Sequence, residues 1–177
     1  MYASDRLILK TANEVTIEHV LDYYRDNQKF LEPFEPKRED TFYTYRQQSI
    51  DLYNDVFHLE HGSALKLFLT LEGSTQIIGI LNFSQIIMGP FKSCYLGYSL
   101  LEKKQGQGYM IEAVKKGIEI MFDQYGLHRI EANVMPNNHK SVKLLKHLNF
   151  VYEGTAKSYL CINGHWEDHD HYTLLNE

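Results

Sequence analysis

The chain has 177 residues, 44% of them hydrophobic, and a formal charge of −5 from 18 Lys and Arg against 23 Asp and Glu. A chain of that size builds one core, so a single domain over residues 1–177 with one active site is expected. The basic residues are scattered along the chain, which argues against a sequence-independent grip on nucleic-acid phosphates and leaves room for a cationic substrate.

The opening Met1-Tyr2-Ala3-Ser4-Asp5-Arg6 has neither the basic cluster nor the apolar run of a secretory signal, and no later stretch is long enough to span a bilayer. A cytoplasmic protein with no membrane contact is expected. Arg6 to Lys10 alternates like a strand, and Glu14 to Gln28 carries Val15, Ile17, Val20, Leu21 and Tyr24 near helical spacing. Pro33 and Pro36 should stop that helix and hold Phe30 to Pro36 as an extended, stiff loop. A second helix is predicted from Tyr43 to Glu60, ended by His61-Gly62.

From Ala64 the period becomes that of sheet. Leu65 to Leu71, the turn Glu72-Gly73-Ser74-Thr75 and Ile77 to Ile87 read as an antiparallel hairpin, followed by a strand from Ser93 to Leu101. A helix from Ile111 to Tyr125, a strand from Arg129 to Val134, a helix from Asn138 to Leu148 and a strand from Phe150 to Ile162 come next. Asn163-Gly164 then turns the chain into a last strand, Trp166 to Leu175. The order implies an α+β fold with a largely antiparallel sheet. Cys94 and Cys161 both fall in apolar strand-like segments outside any Cys-x-x-Cys pair and are read as reduced, buried thiols.

Three features carry chemistry. Between a strand and a helix, Lys103-Lys104-Gln105-Gly106-Gln107-Gly108-Tyr109-Met110 would offer free backbone N–H groups at a helix start, with two glycines that let a pyrophosphate approach. It matches neither the dinucleotide fingerprint nor the P-loop, and taken alone it is also an ordinary Gly-rich turn. In Met135-Pro136-Asn137-Asn138-His139-Lys140-Ser141, an N-cap at Asn138 puts Ser141 at the third helical position, its hydroxyl at the mouth of the sheet; by itself this too is only a cap. Finally, strand alternation sets His165, Glu167, His169 and His171 on one face. Neighbours two apart stand about 7 Å from each other, so the row is read as the polar outer face of an edge strand, and no metal is expected.

Together these elements resemble the GNAT acetyltransferase superfamily, and within it the RimJ/RimL branch of ribosomal-protein-alanine N-acetyltransferases, with the RimJ side matched along nearly the whole chain. The matching stretches include Asp5-Arg6-Leu7, Phe30 to Pro36, Asn82-Phe83-Ser84, Cys94 to Ser99, Gln105 to Gly108, His128-Arg129-Ile130, Met135 to Ser141 and Asn163 to His169. The resemblance implies splayed strands at Ser93–Leu101 and Arg129–Val134 that admit the pantetheine arm of acetyl-CoA, the co-substrate, against backbone at Tyr98, Ser99 and Leu100. It implies that amides from Gln105, Gly106, Gln107, Gly108, Tyr109 and Met110 hold the pyrophosphate, that Asn138 contacts the coenzyme, and that Ser141 protonates the departing thiolate.

The Glu that serves RimL corresponds here to Leu160, so no base carries over. Glu35, in the Pro-bounded loop, is the candidate base, with Glu102 and Glu131 as weaker options. A protein α-amine with a pKa near 7.8 is about 15% neutral at pH 7, against about 0.04% for a Lys side chain. The missing Glu therefore leans toward the N-terminal amine, Ala or Ser, of a protein such as a ribosomal protein. The rival readings are acetylation of a small amine (a polyamine or antibiotic) and a non-catalytic acyl-CoA-binding or ribosome-assembly module. Oligomeric state is left open.

Overall fold

In the computed structural model, which describes Met1–Glu177, the strands are β1 (Tyr2–Ala3), β2 (Leu7–Lys10), β3 (Leu65–Leu71), β4 (Ile77–Ile87), β5 (Ser93–Leu100), β6 (Arg129–Val134), β7 (Val151–Ile162) and β8 (His165–Leu175). The helices are α1 (Ile17–Leu31), α2 (Tyr45–Glu60), α3 (Tyr109–Glu119) and α4 (His139–His147). All eight strands share one sheet in the order β1-β2-β3-β4-β5-β6-β8-β7. Every pairing is antiparallel except β5 with β6. This is the expected α+β architecture, with the short β1 added at the edge.

Strand alternation assigns the helices to faces. Tyr98 of β5 reaches Ser141 of α4, whereas its neighbour Ser99 reaches Tyr23 of α1, so α1 and α4 lie on opposite faces. Gly117 of α3 lies against Leu81 and Phe83, which pair with Tyr98 and Leu96, so α3 joins α4. Lys66, paired in register with Asn82, bonds Asp55 of α2, which therefore joins α1. The core fills both layers, with Leu67, Leu69, Leu81 and Phe83 wholly buried on the α3/α4 face and Phe68 on the α1/α2 face.

Four expectations need correction. Helix α1 starts at Ile17 rather than Glu14, because Thr11–Glu14 closes its own turn: the Glu14 carboxylate accepts from the Thr11 N–H at 2.9 Å and its hydroxyl at 2.6 Å. Thr16 then caps α1. The helix also outlasts Gln28, and Glu32–Phe34 adds a 3₁₀ turn in place of an extended loop; Pro33 is tolerated there because a first-turn N–H is unpartnered anyway. Strand β8 is no edge strand: it sits between β6 and β7, and His169 is only 4% exposed. Cys161, on the true edge strand β7, is exposed, while Cys94 is buried as expected.

Candidate active site

The site begins where two strands part. β5 pairs with β6 only through Ser93, Cys94 and Tyr95, opposite Arg129, Ile130 and Glu131. Beyond that point the strands diverge. The Leu101 N–H donates to the Ile78 carbonyl at 2.8 Å, which fixes the phase of the β4–β5 ladder. Backbone groups alternate sides along a strand, so those of Leu96, Tyr98 and Leu100 point into the gap and those of Ser99 point to β4. Ser99 was expected to offer backbone to the coenzyme; its backbone instead faces the β4 ladder, where it pairs with Ile80, and its hydroxyl bonds Tyr23 at 2.8 Å. The Leu100 carbonyl is taken by Asn27 Nδ2 and Gln105 Nε2, each at 3.2 Å, leaving Tyr98 as the exposed rung. Asn27, 1% exposed, also accepts from the Glu102 N–H at 3.2 Å and so pins α1 to the end of β5. A polar residue in the apolar stripe of α1 was the signal for that staple.

Three cavities meet at Tyr98 and Ser99. One of about 470 Å³ runs along the α4 side, lined by Phe30, Phe34, Met110, Asn138, Lys140 and Ser141 among others. A second, about 250 Å³, is the gap itself, between Leu96–Ser99 and Ala132–Met135, with Ser141, Glu35 and His169 on its walls. The third, about 670 Å³, opens on the α1/α2 face and carries Glu35, Asp51 and Asp55 against Arg38 and Lys66. The gap is thus reached from both faces of the sheet.

The loop before α3 fits a diphosphate. Gly106 and Gly108 have φ of 74° and 79°, a backbone that other residues resist, and a Cβ at Gly106 would meet nothing within 4 Å. The N–H groups of Gly106, Gln107 and Gly108 make no backbone hydrogen bond, and those of Tyr109, Met110 and Ile111 open the helix. Gln105 departs from expectation, because its N–H is already given to the Glu102 carbonyl at 3.1 Å. The loop is held by Arg6, which bonds the Gln107 carbonyl at 3.0 Å and the Glu112 carboxylate at 2.7 Å.

Asn138 caps α4 as expected, its Oδ1 accepting from the Ser141 N–H at 3.2 Å, which leaves Nδ2 at the cavity wall. Ser141 does not stand alone. Its Oγ lies 2.5 Å from the Tyr98 hydroxyl, a pairing across the gap that no spacing in the sequence announces. Burial pushes the Tyr98 phenol up to about 12 against the pull of that bond, so it keeps its proton at neutral pH. Glu35 lines both the gap and the α1/α2-face cavity, with Arg38 at 2.8 Å from its Oε2. Glu131 is paired to Arg129 at 2.8 Å, and Leu160 is exposed on β7. No three His, Cys, Asp or Glu side chains are grouped to hold a metal ion.

A parted parallel strand pair, a free amide loop at a helix start and a hydroxyl at the gap define an acyl-CoA-dependent acyltransferase. Residues 6–151 match the acetyltransferase (GNAT) domain, and the chain belongs to that family; it is an acetyl-CoA-dependent N-acetyltransferase. It is 40% identical over 168 residues to the ribosomal protein uS5-alanine N-acetyltransferase of Escherichia coli K12, covering 94% of this chain and 86% of that protein. It is 35% identical over 164 residues to the probable N-acetyltransferase YjcK of Bacillus subtilis 168, covering 92% and 91%. Its structure resembles the ribosomal-protein-S5-alanine acetyltransferase of Vibrio fischeri with a TM-score of 0.92 at 35% identity, over 100% of this chain and 96% of that one. RimJ of Mycobacterium smegmatis, solved with CoA-disulfide, gives 0.85 at 25% identity, over 97% and 88%.

Proposed function

We propose that this enzyme acetylates the α-amine of a protein N-terminus beginning with Ala or Ser, a ribosomal protein being the acceptor class, and that residues 1–177 act as one acetyltransferase domain. The observation that carries this reading is the meeting of two cavities from opposite faces of the sheet at Tyr98, one shaped for a long arm and the other wide and mixed in charge. The identity to a uS5-alanine N-acetyltransferase supports it.

In this reading the pantetheine lies as an extra strand against the gap-facing backbone of Tyr98, and the amides from Gly106 to Met110 hold the diphosphate. Asn138 Nδ2 and Lys140 line the same path. The acceptor enters from the α1/α2 face, its ammonium drawn by Glu35. The amine nitrogen attacks the thioester carbonyl carbon, the carbonyl oxygen gathers charge against gap-facing N–H groups of β5, and the C–S bond breaks. The thiolate takes its proton from Ser141 Oγ, to which Tyr98 donates a hydrogen bond, and the proton lost by the nitrogen as the amide forms restores the Ser141 hydroxyl.

Free-thiol release with acetyl-CoA tests the acceptor class. Peptides beginning Ala or Ser should turn over faster than spermine or an aminoglycoside. Preference for a small amine would overturn the reading, and acetyl-CoA binding without turnover on any amine would favour the non-catalytic module.

A further inference from the structure

His169 is an unused nitrogen base on the acceptor side of the gap. Its ring is 4% exposed and lines the gap cavity opposite Leu96 and Gly97. Nδ1 lies 3.1 Å from the Glu167 carbonyl oxygen. A carbonyl can only accept, so Nδ1 carries the hydrogen, and in the neutral ring Nε2 holds the lone pair. Nε2 has no partner within the protein. The ring is held from behind by Tyr159, centroids 5.5 Å apart.

The face is the correct one for an acceptor. Asn133 pairs in register with His171, and His169, two residues before His171, points to the same side. Glu131, two residues before Asn133, pairs with Tyr95, so Asn133 shares the face of Tyr95, Gly97 and Ser99, which is the α1 side. Ser141 and Tyr98 lie on the other face. Asn133 supplies an independent sign: its Oδ1 is buried in the gap wall with no hydrogen-bond partner, an acceptor waiting for a donor that the protein lacks. An ammonium is such a donor. Glu35, across the gap, is engaged by Arg38; Tyr159 packs against His169 and His171, and farther along this face stand Tyr95 and the Arg129–Glu131 pair.

Resting on the acetyl-transfer reading above, we infer that His169 Nε2 is the general base that deprotonates the acceptor amine, with Asn133 Oδ1 holding the same nitrogen. Nε2 takes one proton from R–NH₃⁺, which frees the lone pair that forms the C–N bond as the C–S bond breaks. The second proton, lost as the amide forms, replaces the one Ser141 gives to sulfur. The products are the acetamide, free thiol and one proton on His169, released through the acceptor cavity. Sequence order hid this role, because His169 falls in a row of alternating polar residues that reads as a solvated face.

The test compares wild type with His169→Asn, which keeps a donor near the Nδ1 position and removes Nε2. Two acceptors are used: an Ala-initial peptide and its aminooxyacetyl-capped analogue, whose attacking nitrogen is uncharged at neutral pH. The expected result is a kcat lower by roughly a hundredfold on the α-amine, unchanged acetyl-CoA affinity by calorimetry, near-normal kcat on the aminooxy acceptor, and partial rescue by imidazole. His169→Gln repeats the comparison where the Asn variant folds poorly. Glu35→Gln should raise KM for the peptide rather than lower kcat. Unchanged kcat in His169→Asn, an equal loss on both acceptors, or the acceptor-dependent loss appearing in Glu35→Gln instead would each overturn the assignment. Wild type that turns over no amine would overturn the underlying reading.

Discussion

The Tyr98–Ser141 pair gives the sharpest test of how the leaving thiolate is protonated. Tyr98→Phe removes one hydroxyl and little volume. The lost bond is 2.5 Å long and partly buried, at the short end for O–H···O, and its net worth to folding is about 1 kcal/mol. Its worth to turnover is larger if it strengthens as Ser141 passes its proton on. A loss of about 1.4 to 2.8 kcal/mol at that point corresponds to roughly ten- to hundredfold in kcat. Ser141→Ala should cost on the order of a hundredfold. In the proposed step Tyr98 acts through Ser141, so adding Tyr98→Phe to Ser141→Ala should change kcat by less than about threefold. Thiol-release kinetics on the four proteins, with acetyl-CoA affinity measured separately, complete the cycle. Wild-type kcat in Tyr98→Phe, or losses that multiply in the double variant, would refute the hydroxyl pair as one device.

The remaining tests concern the scaffold around the site. Burial pushes the Glu112 carboxyl up, but the Arg6 N–H, the Ser4 hydroxyl and the Arg6 guanidinium outweigh it and hold it below the usual range. Its stabilisation is therefore complete above about pH 4.3 and lost as pH falls through the lower folded value; melting curves of wild type and Glu112→Gln should differ at pH 7 and converge in acid. A Cβ at Gly117 would lie 2.7 Å and 2.8 Å from the Phe83 ring and 3.2 Å from Leu81 Cδ1. Gly117→Ala should then destabilise by about 1–3 kcal/mol in urea, and a neutral result would mean that the two layers are less closely packed there. Burial, with Glu131 nearby, pushes the Cys94 thiol up to about 12, while Cys161 is exposed. Maleimide should label one thiol in the folded protein, abolished by Cys161→Ser, and two after denaturation.

The alternation of Leu65 to Leu71, the Asn163-Gly164 turn and the helix cap at Asn138 are local signals, and each appears in the structure where period or cap chemistry put it. Residue order also located the amide loop before α3, because two glycines between a strand and a helix act through backbone that they themselves control. Period alone failed where a competing three-residue turn took the same groups, and where the outcome hung on distant strand pairing. Thr11 and Glu14 took three residues from the start of α1, and Gln105 spent its N–H on the preceding turn. The parting of β5 from β6 depends on which strands become neighbours, as does the burial of β8 between β6 and β7. Only that pairing turned His169 from an apparent surface residue into a wall of the gap and carried Tyr98 to within 2.5 Å of Ser141 across 43 residues of chain. A period of two tells which side chains share a face, but not what covers that face; the sheet order decides it.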